Sequence, residues 1–131
     1  ELGNTQVAKR DGVYLLQSVI GTLPQKEIPT IHDWAAGVYT RTMLMEEGDT
    51  LVGKKHRYPC INIISKGRLR VVNIADEKDY TDHEAPDIFI SPEGTKRAIF
   101  ALTDVCWTTC HATEERDLNI LDDLFTLGDE E

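Results

Sequence analysis

From Val38 onward the chain is a succession of short β-branched and aromatic runs separated by turn residues, and this punctuation restricts the fold more than any other feature. Val38 to Met45, Leu51 to Tyr58, Ile61 to Ser65, Leu69 to Ile74, Ile88 to Ile90, Arg97 to Leu102 and Val105 to Thr113 read as strands. Between them stand Glu47-Gly48-Asp49, Lys66-Gly67, Ala75-Asp76-Glu77, Ser91-Pro92-Glu93-Gly94 and Thr103-Asp104. Strands that follow one another at hairpin distance, with no helix between them, pair antiparallel, so the pattern predicts an all-β sandwich or barrel. A chain of 131 residues holds one such domain with a core, and not comfortably two.

Both ends depart from this pattern. Residues 1–37 are an N-terminal arm or extension: Glu1 to Arg10 is polar, Val13-Tyr14-Leu15-Leu16 and Val19-Ile20 are apolar, and Gly21, Pro24 and Pro29 interrupt any long element. Such an arm packs either on its own domain or on a neighbouring subunit. Residues 38–113 form the barrel, and residues 114–131 an acidic C-terminal helix and tail. There Leu118, Leu121, Leu124 and Phe125 recur at steps of three and four, which predicts one short helix laid on the sheet by all four and stopped by Gly128.

The charge is unevenly placed. The segment from Glu114 to Glu131 has eight acids against Arg116 alone, a net −7 of the chain's −9, so the barrel itself is nearly neutral. An overall balance of 14 Lys and Arg against 23 Asp and Glu has the wrong sign for neutralising phosphates, and no nucleic-acid partner is expected. With no apolar run of membrane-spanning length and no signal-peptide pattern, the expectation is a soluble, unsecreted protein with no membrane partner.

Cys60, Cys106 and Cys110 are an odd number, which suits a reducing compartment better than a disulfide framework. On a strand, Cys106 and Cys110 share one face about 13 Å apart, too far to bridge, and read as packing residues. Of the histidines, His32 and His83 fall in segments read as surface or loop. His56 and His111 alternate with aromatic neighbours, so His56, Tyr58, Trp107 and His111 are candidates to line one cavity. Two histidines without a carboxylate are half of a metal site. Glycine loops that cradle phosphate, nucleophile elbows and Cys-x-x-Cys pairs are missing from the sequence, and Cys110 and His111 face opposite sides of a strand, so no catalytic residue is assigned and a non-enzyme is expected.

Gly48, His56, Gly67 and Pro92-Glu93-Gly94 fall in the order of the two sequence motifs of the cupin family, which this chain resembles over about residues 38 to 113. The resemblance implies a cupin-like antiparallel β-barrel of jelly-roll type, with an N-terminal arm and one short C-terminal helix added here. In that family the motif histidines and glutamate usually hold a metal. His56 keeps the first ligand position, but Tyr58, Asn62 and Arg97 stand where a histidine, a glutamate and a histidine belong. Arg97 has no lone pair to donate and Asn62 is a poor substitute for a carboxylate, so neither a metal nor any other cofactor is expected. Arg97 instead suits a carboxylate or phosphate, with His56, Tyr58 and His111 adding hydrogen bonds, or else it pairs with an acidic residue near the sheet edge.

Asn62-Ile63-Ile64-Ser65-Lys66-Gly67, Pro92-Glu93-Gly94-Thr95-Lys96-Arg97 and Trp107-Thr108-Thr109 followed by His111 also resemble small cupin-like proteins of tailed bacteriophages. That resemblance implies a virion protein, first a head-decoration or capsid-stabilising staple protein on the capsid surface, assembled in the host cytoplasm. Its partners would be the major capsid protein or other virion subunits, and it would itself be a homodimer. The alternatives are a cupin-like enzyme or small-anion-binding protein of the infected cell, and a tail or baseplate component.

Overall fold

The structure, a computed structural model, describes residues 4–23, 25–74 and 77–127. The turn expected at Ala75-Asp76 and the helix stop expected at Gly128 lie outside the described residues. In chain order the elements are α1 (Asn4–Gly21), β1 (Thr30–Ala35), β2 (Val38–Met45), β3 (Thr50–Val52), β4 (Lys55–His56), β5 (Cys60–Lys66), β6 (Arg68–Asn73), β7 (Thr81–Glu84), β8 (Asp87–Ser91), β9 (Arg97–Ala101), β10 (Val105–Ala112), α2 (Leu118–Phe125) and β11 (Thr126–Leu127). All pairings are antiparallel. A five-stranded sheet runs β1-β2-β10-β5-β8, a four-stranded sheet β3-β9-β6-β7, and β4 pairs with β11.

The two larger sheets face each other in a jelly-roll sandwich. Met43, Met45, Ile64, Val105 and Trp107 enter the core from one sheet, and Leu69, Val71, Ile99 and Ala101 from the other. Strand periodicity sorts them: Tyr39, Met43 and Met45 point inward on β2, while Val38 and Leu44, at alternate positions, stay exposed. Ile64, Leu69 and Ile99 are at most 1% exposed, and burying each stabilises the fold by about 1.5–3 kcal/mol. Gly67 turns the chain between β5 and β6 at φ 85°, where a Cβ would stand 1.9 Å from the Asp104 carbonyl oxygen.

The N-terminal segment differs from the irregular arm expected of it. Residues 4–21 form α1, with Val13 buried and Leu16, Gln17 and Ile20 half-buried at helical spacing. It seats on its own barrel, where the Lys96 ammonium bonds Gln17 and lies 5.2 Å from the Tyr14 ring. The exposed Leu15 and Val19 obscure this stripe in the sequence.

Three further differences matter for the site. The five-stranded sheet begins at Thr30, not Val38, because Ala36 and Gly37, both at positive φ, make a two-residue hairpin that pairs β1 with β2. The run from Leu51 to Tyr58 is two short strands, broken at Gly53-Lys54, and bends at Arg57-Tyr58. The polar segment around His83 is strand β7, paired with β6. Among the described residues no helix is long and apolar enough to cross a membrane.

Candidate functional site

Strand pairing brings the inward side chains of the five-stranded sheet into rows. One row reads His32, Arg41, Thr109, Asn62 and Phe89 across β1, β2, β10, β5 and β8. Trp107 and His111 lie two residues either side of Thr109 on β10 and so face the same way. Opposite them β9 contributes Arg97 and Ile99, β4 contributes His56, and α2 lies across the open end. These walls enclose a cavity of about 550 Å³.

Arg97 is the charged centre of this cavity and is only 4% exposed. One guanidinium nitrogen donates to Ser91 Oγ and the other to Asn62 Oδ1 at 3.3 Å, while Cζ lies 5.0 Å from the Trp107 ring. Asn62 Oδ1 also accepts from Trp107 Nε1 at 2.9 Å, and Asn62 Nδ2 donates to Ser91 Oγ at 2.8 Å. Asn62, fully buried, therefore orients the arginine and the indole together. Every one of these partners is neutral, and among the described residues no carboxylate pairs with Arg97. The alternative of an acidic partner at the sheet edge is overturned. Burial lowers the Arg97 pKa to about 10, which leaves it a cation at neutral pH.

The histidines around it are held neutral. His56 is lowered to about 4 by burial first, then by the charges of Arg97 and His111. His111 is lowered to about 4 by burial first, then by Arg41 and Arg97. His56 Nδ1 is 3.7 Å from Cys60 Sγ, whose thiol burial pushes up, so it stays protonated. The His111 ring stacks 4.4 Å from Phe125 and 5.9 Å from Tyr39.

Helix α2 is the roof. Asp117 Oδ1 caps it by accepting from Asn119 N at 3.0 Å, and Lys54 pairs with Asp122. Arg57 N donates to the Phe125 carbonyl at 2.9 Å, and β11 pairs with β4 at the helix end. Of the four apolar residues expected on the sheet, Leu121 is buried and Phe125 half-buried, whereas Leu118 and Leu124 stay 45% and 41% exposed. A helix of eight residues presents a stripe too narrow to bury all four.

The cavity thus brings together His56, Arg97, Trp107 and His111, but not Tyr58. The bend at Arg57-Tyr58 ends the alternation that would carry Tyr58 inward, and its ring is 55% exposed. His32, read as a surface or loop residue, lines the cavity and bonds Tyr39 OH through Nδ1 at 2.7 Å. His83 bonds Asp87 at 2.7 Å and stacks on Phe89, away from the cavity. Sequence reasoning missed His32, Tyr39 and Arg41 as wall residues. The signal for them was the two-residue Ala36-Gly37 turn, which pairs a strand on each side of it.

The metal of the cupin family does not fit here. Arg97 puts a cation without a lone pair where one ligand belongs, Asn62 is engaged by Arg97 and Trp107, and Tyr58 points outward. Among the described residues no three His, Cys, Asp or Glu side chains converge. What the arrangement offers chemically is one desolvated cation beside neutral hydrogen-bonding groups and apolar walls.

No family model matches the sequence, and no curated protein matches it. Solved structures do share its shape. A cupin superfamily protein from Desulfitobacterium hafniense is 13% identical, with a TM-score of 0.55 over 76% of this chain and 88% of that one. A putative ethanolamine utilization protein Q from Salmonella typhimurium is 14% identical, with a TM-score of 0.57 over 69% of this chain and 72% of that one. A mutant of the Bacillus subtilis oxalate decarboxylase is 17% identical, with a TM-score of 0.59 over 74% of this chain and 28% of that one. At these identities the likeness shows the fold alone, which is cupin-like.

Proposed function

We propose that this cupin-like barrel is a receptor for a small anion, and that Arg97 is the group that binds it. The observation behind it is a guanidinium 4% exposed, charged at neutral pH and bonded only to neutral partners, in the wall of a cavity of about 550 Å³. Burying an ion is expensive unless an opposite charge compensates it, and a bound anion supplies that charge. Ser91 and Asn62 fix the guanidinium plane, so little side-chain freedom is lost on binding. Titrating the protein with a panel of small anions and their neutral counterparts tests this. Binding is expected for the anions and is lost in Arg97→Gln; binding that survives Arg97→Gln overturns it.

A second reading is the virion one, a phage decoration or staple protein acting as a homodimer. What favours it is the outer face of the five-stranded sheet, where Ile61, Ile88 and Ile90 are 46%, 68% and 69% exposed and the outward positions of β2, β10 and β8 carry no charge. A mainly apolar face of this kind suits docking, either to a second copy or to a capsid subunit. The comparisons bear on the fold alone and leave the bacteriophage origin a proposal. Mass spectrometry of purified virions tests it: stoichiometric recovery supports the virion reading, and absence from particles sinks both the decoration and the baseplate versions.

A further inference from the structure

We infer that the anion this barrel takes is a monocarboxylate with an apolar or aromatic body, its carboxylate inward on Arg97. The inference rests on the anion-receptor reading above and adds the chemical class of the ligand.

Charge balance comes first. Of the charged groups facing the cavity, Lys54 and Asp122 cancel each other as an ion pair at its rim. Arg41 is exposed at the mouth, and its charge reaches His111 and Tyr39. His56 and His111 are neutral at physiological pH, and the Cys60 thiol is protonated. The buried interior therefore holds a single positive charge, that of Arg97, with Arg41 a second at the mouth. One carboxylate leaves it neutral. A phosphate monoester, mostly a dianion at pH 7, would need Arg41 at the mouth as well as the buried Arg97 to balance it.

Donor geometry agrees. Ser91 and Asn62 hold the two terminal nitrogens of Arg97 and fix a planar fork, the shape that matches the two oxygens of a carboxylate. The walls then decide the body. Met43, Leu51, Ile99, Leu121 and Phe125 face the cavity together with the indole of Trp107. Polar side chains such as His32, Tyr39 and Thr109 also line the cavity, so the apolar groups fix where an alkyl chain or a ring lies rather than excluding every hydroxyl. About 550 Å³ lies within the range that encloses a small organic ligand.

The test is isothermal titration calorimetry of the full chain at pH 7 with benzoate, hexanoate, benzamide and phenyl phosphate. Benzamide keeps the ring and removes the charge; phenyl phosphate keeps the ring and doubles the charge. Benzoate and hexanoate are expected to bind at least tenfold more tightly than either, and benzoate to lose at least tenfold in Arg97→Gln. If phenyl phosphate binds as well as benzoate or better, the carboxylate class is overturned while the anion reading stands. If benzamide matches benzoate, or if none of the four binds, both fall. The comparison among the four compounds uses the unmodified chain, so it decides the matter even if Arg97→Gln does not fold.

Discussion

Asn62 shows how much one buried amide can fix. Its oxygen accepts from Arg97 and Trp107 and its nitrogen donates to Ser91, so replacing it with Leu strands two buried donors. Asn62→Leu is expected to lower stability by about 2–5 kcal/mol, measurable by urea unfolding. Asn62→Asp does the opposite chemistry: it sets a carboxylate beside the guanidinium, neutralises it from within, and is expected to weaken anion binding at least tenfold while the chain stays folded. The histidines carry a pH signature. Both have folded pKa values near 4 against 6.5 when unfolded, so as pH falls the unfolded chain takes up their protons first. Their contribution is whole above about pH 6.5 and drains away between there and about pH 4, on the order of 1–2 kcal/mol each after allowance for solvent screening. Unfolding curves across that window check the sign, and His56→Gln should flatten the slope.

Elements differ in how far local rules decide them. The β5–β6 hairpin depends on Gly67, because any Cβ there meets the Asp104 carbonyl and φ is 85°. Gly67→Ala is expected to cost about 3 kcal/mol or more in thermal unfolding. Helix α2 holds to the barrel through Leu121, buried to 3%, the Phe125–His111 stack and the Lys54–Asp122 pair. Leu121→Ala should cost about 2–5 kcal/mol and leave the cavity mouth open, which limited proteolysis after residue 115 would report. Helix α1 was illegible as a helix because its inward positions, Val13, Leu16, Gln17 and Ile20, are interleaved with the exposed Leu15 and Val19 and include a glutamine. Its polar contact with Lys96, 79 residues away in the chain, has no local trace.

Across the whole molecule, charge and apolar surface are kept apart. The acids gather at the C-terminal end while the middle of the outer face of the five-stranded sheet, on β2, β10 and β8, is uncharged, with Asp33 and Lys66 toward its margins, so two copies can meet through that middle with little like-charge repulsion. Five strands spaced at about 4.8 Å, with strands up to about 26 Å long, give a face of at most about 600 Å², below the about 800 Å² per partner of a standard interface. If the chain dimerises there, Ile90→Lys is expected to halve the mass seen by light scattering and to raise the reactivity of Cys106 and Cys110, which sit on the central strand β10 beside this face. An unchanged mass excludes the face as the contact.

The β-rich antiparallel class, most of the turns within the described residues and the C-terminal helix were determined by the sequence alone, because period-two patterning and turn chemistry are local properties. His56, Trp107 and His111 could be named from it for the same reason, and Arg97 through the cupin resemblance. Only the tertiary structure decided that Tyr58 leaves the cavity, that His32 and Arg41 join it, that α1 closes onto its own barrel, and above all that Arg97 has no acid beside it. Those outcomes depend on which residues other strands bring opposite, and a bend of two residues or a two-residue hairpin changes that register without changing any local preference.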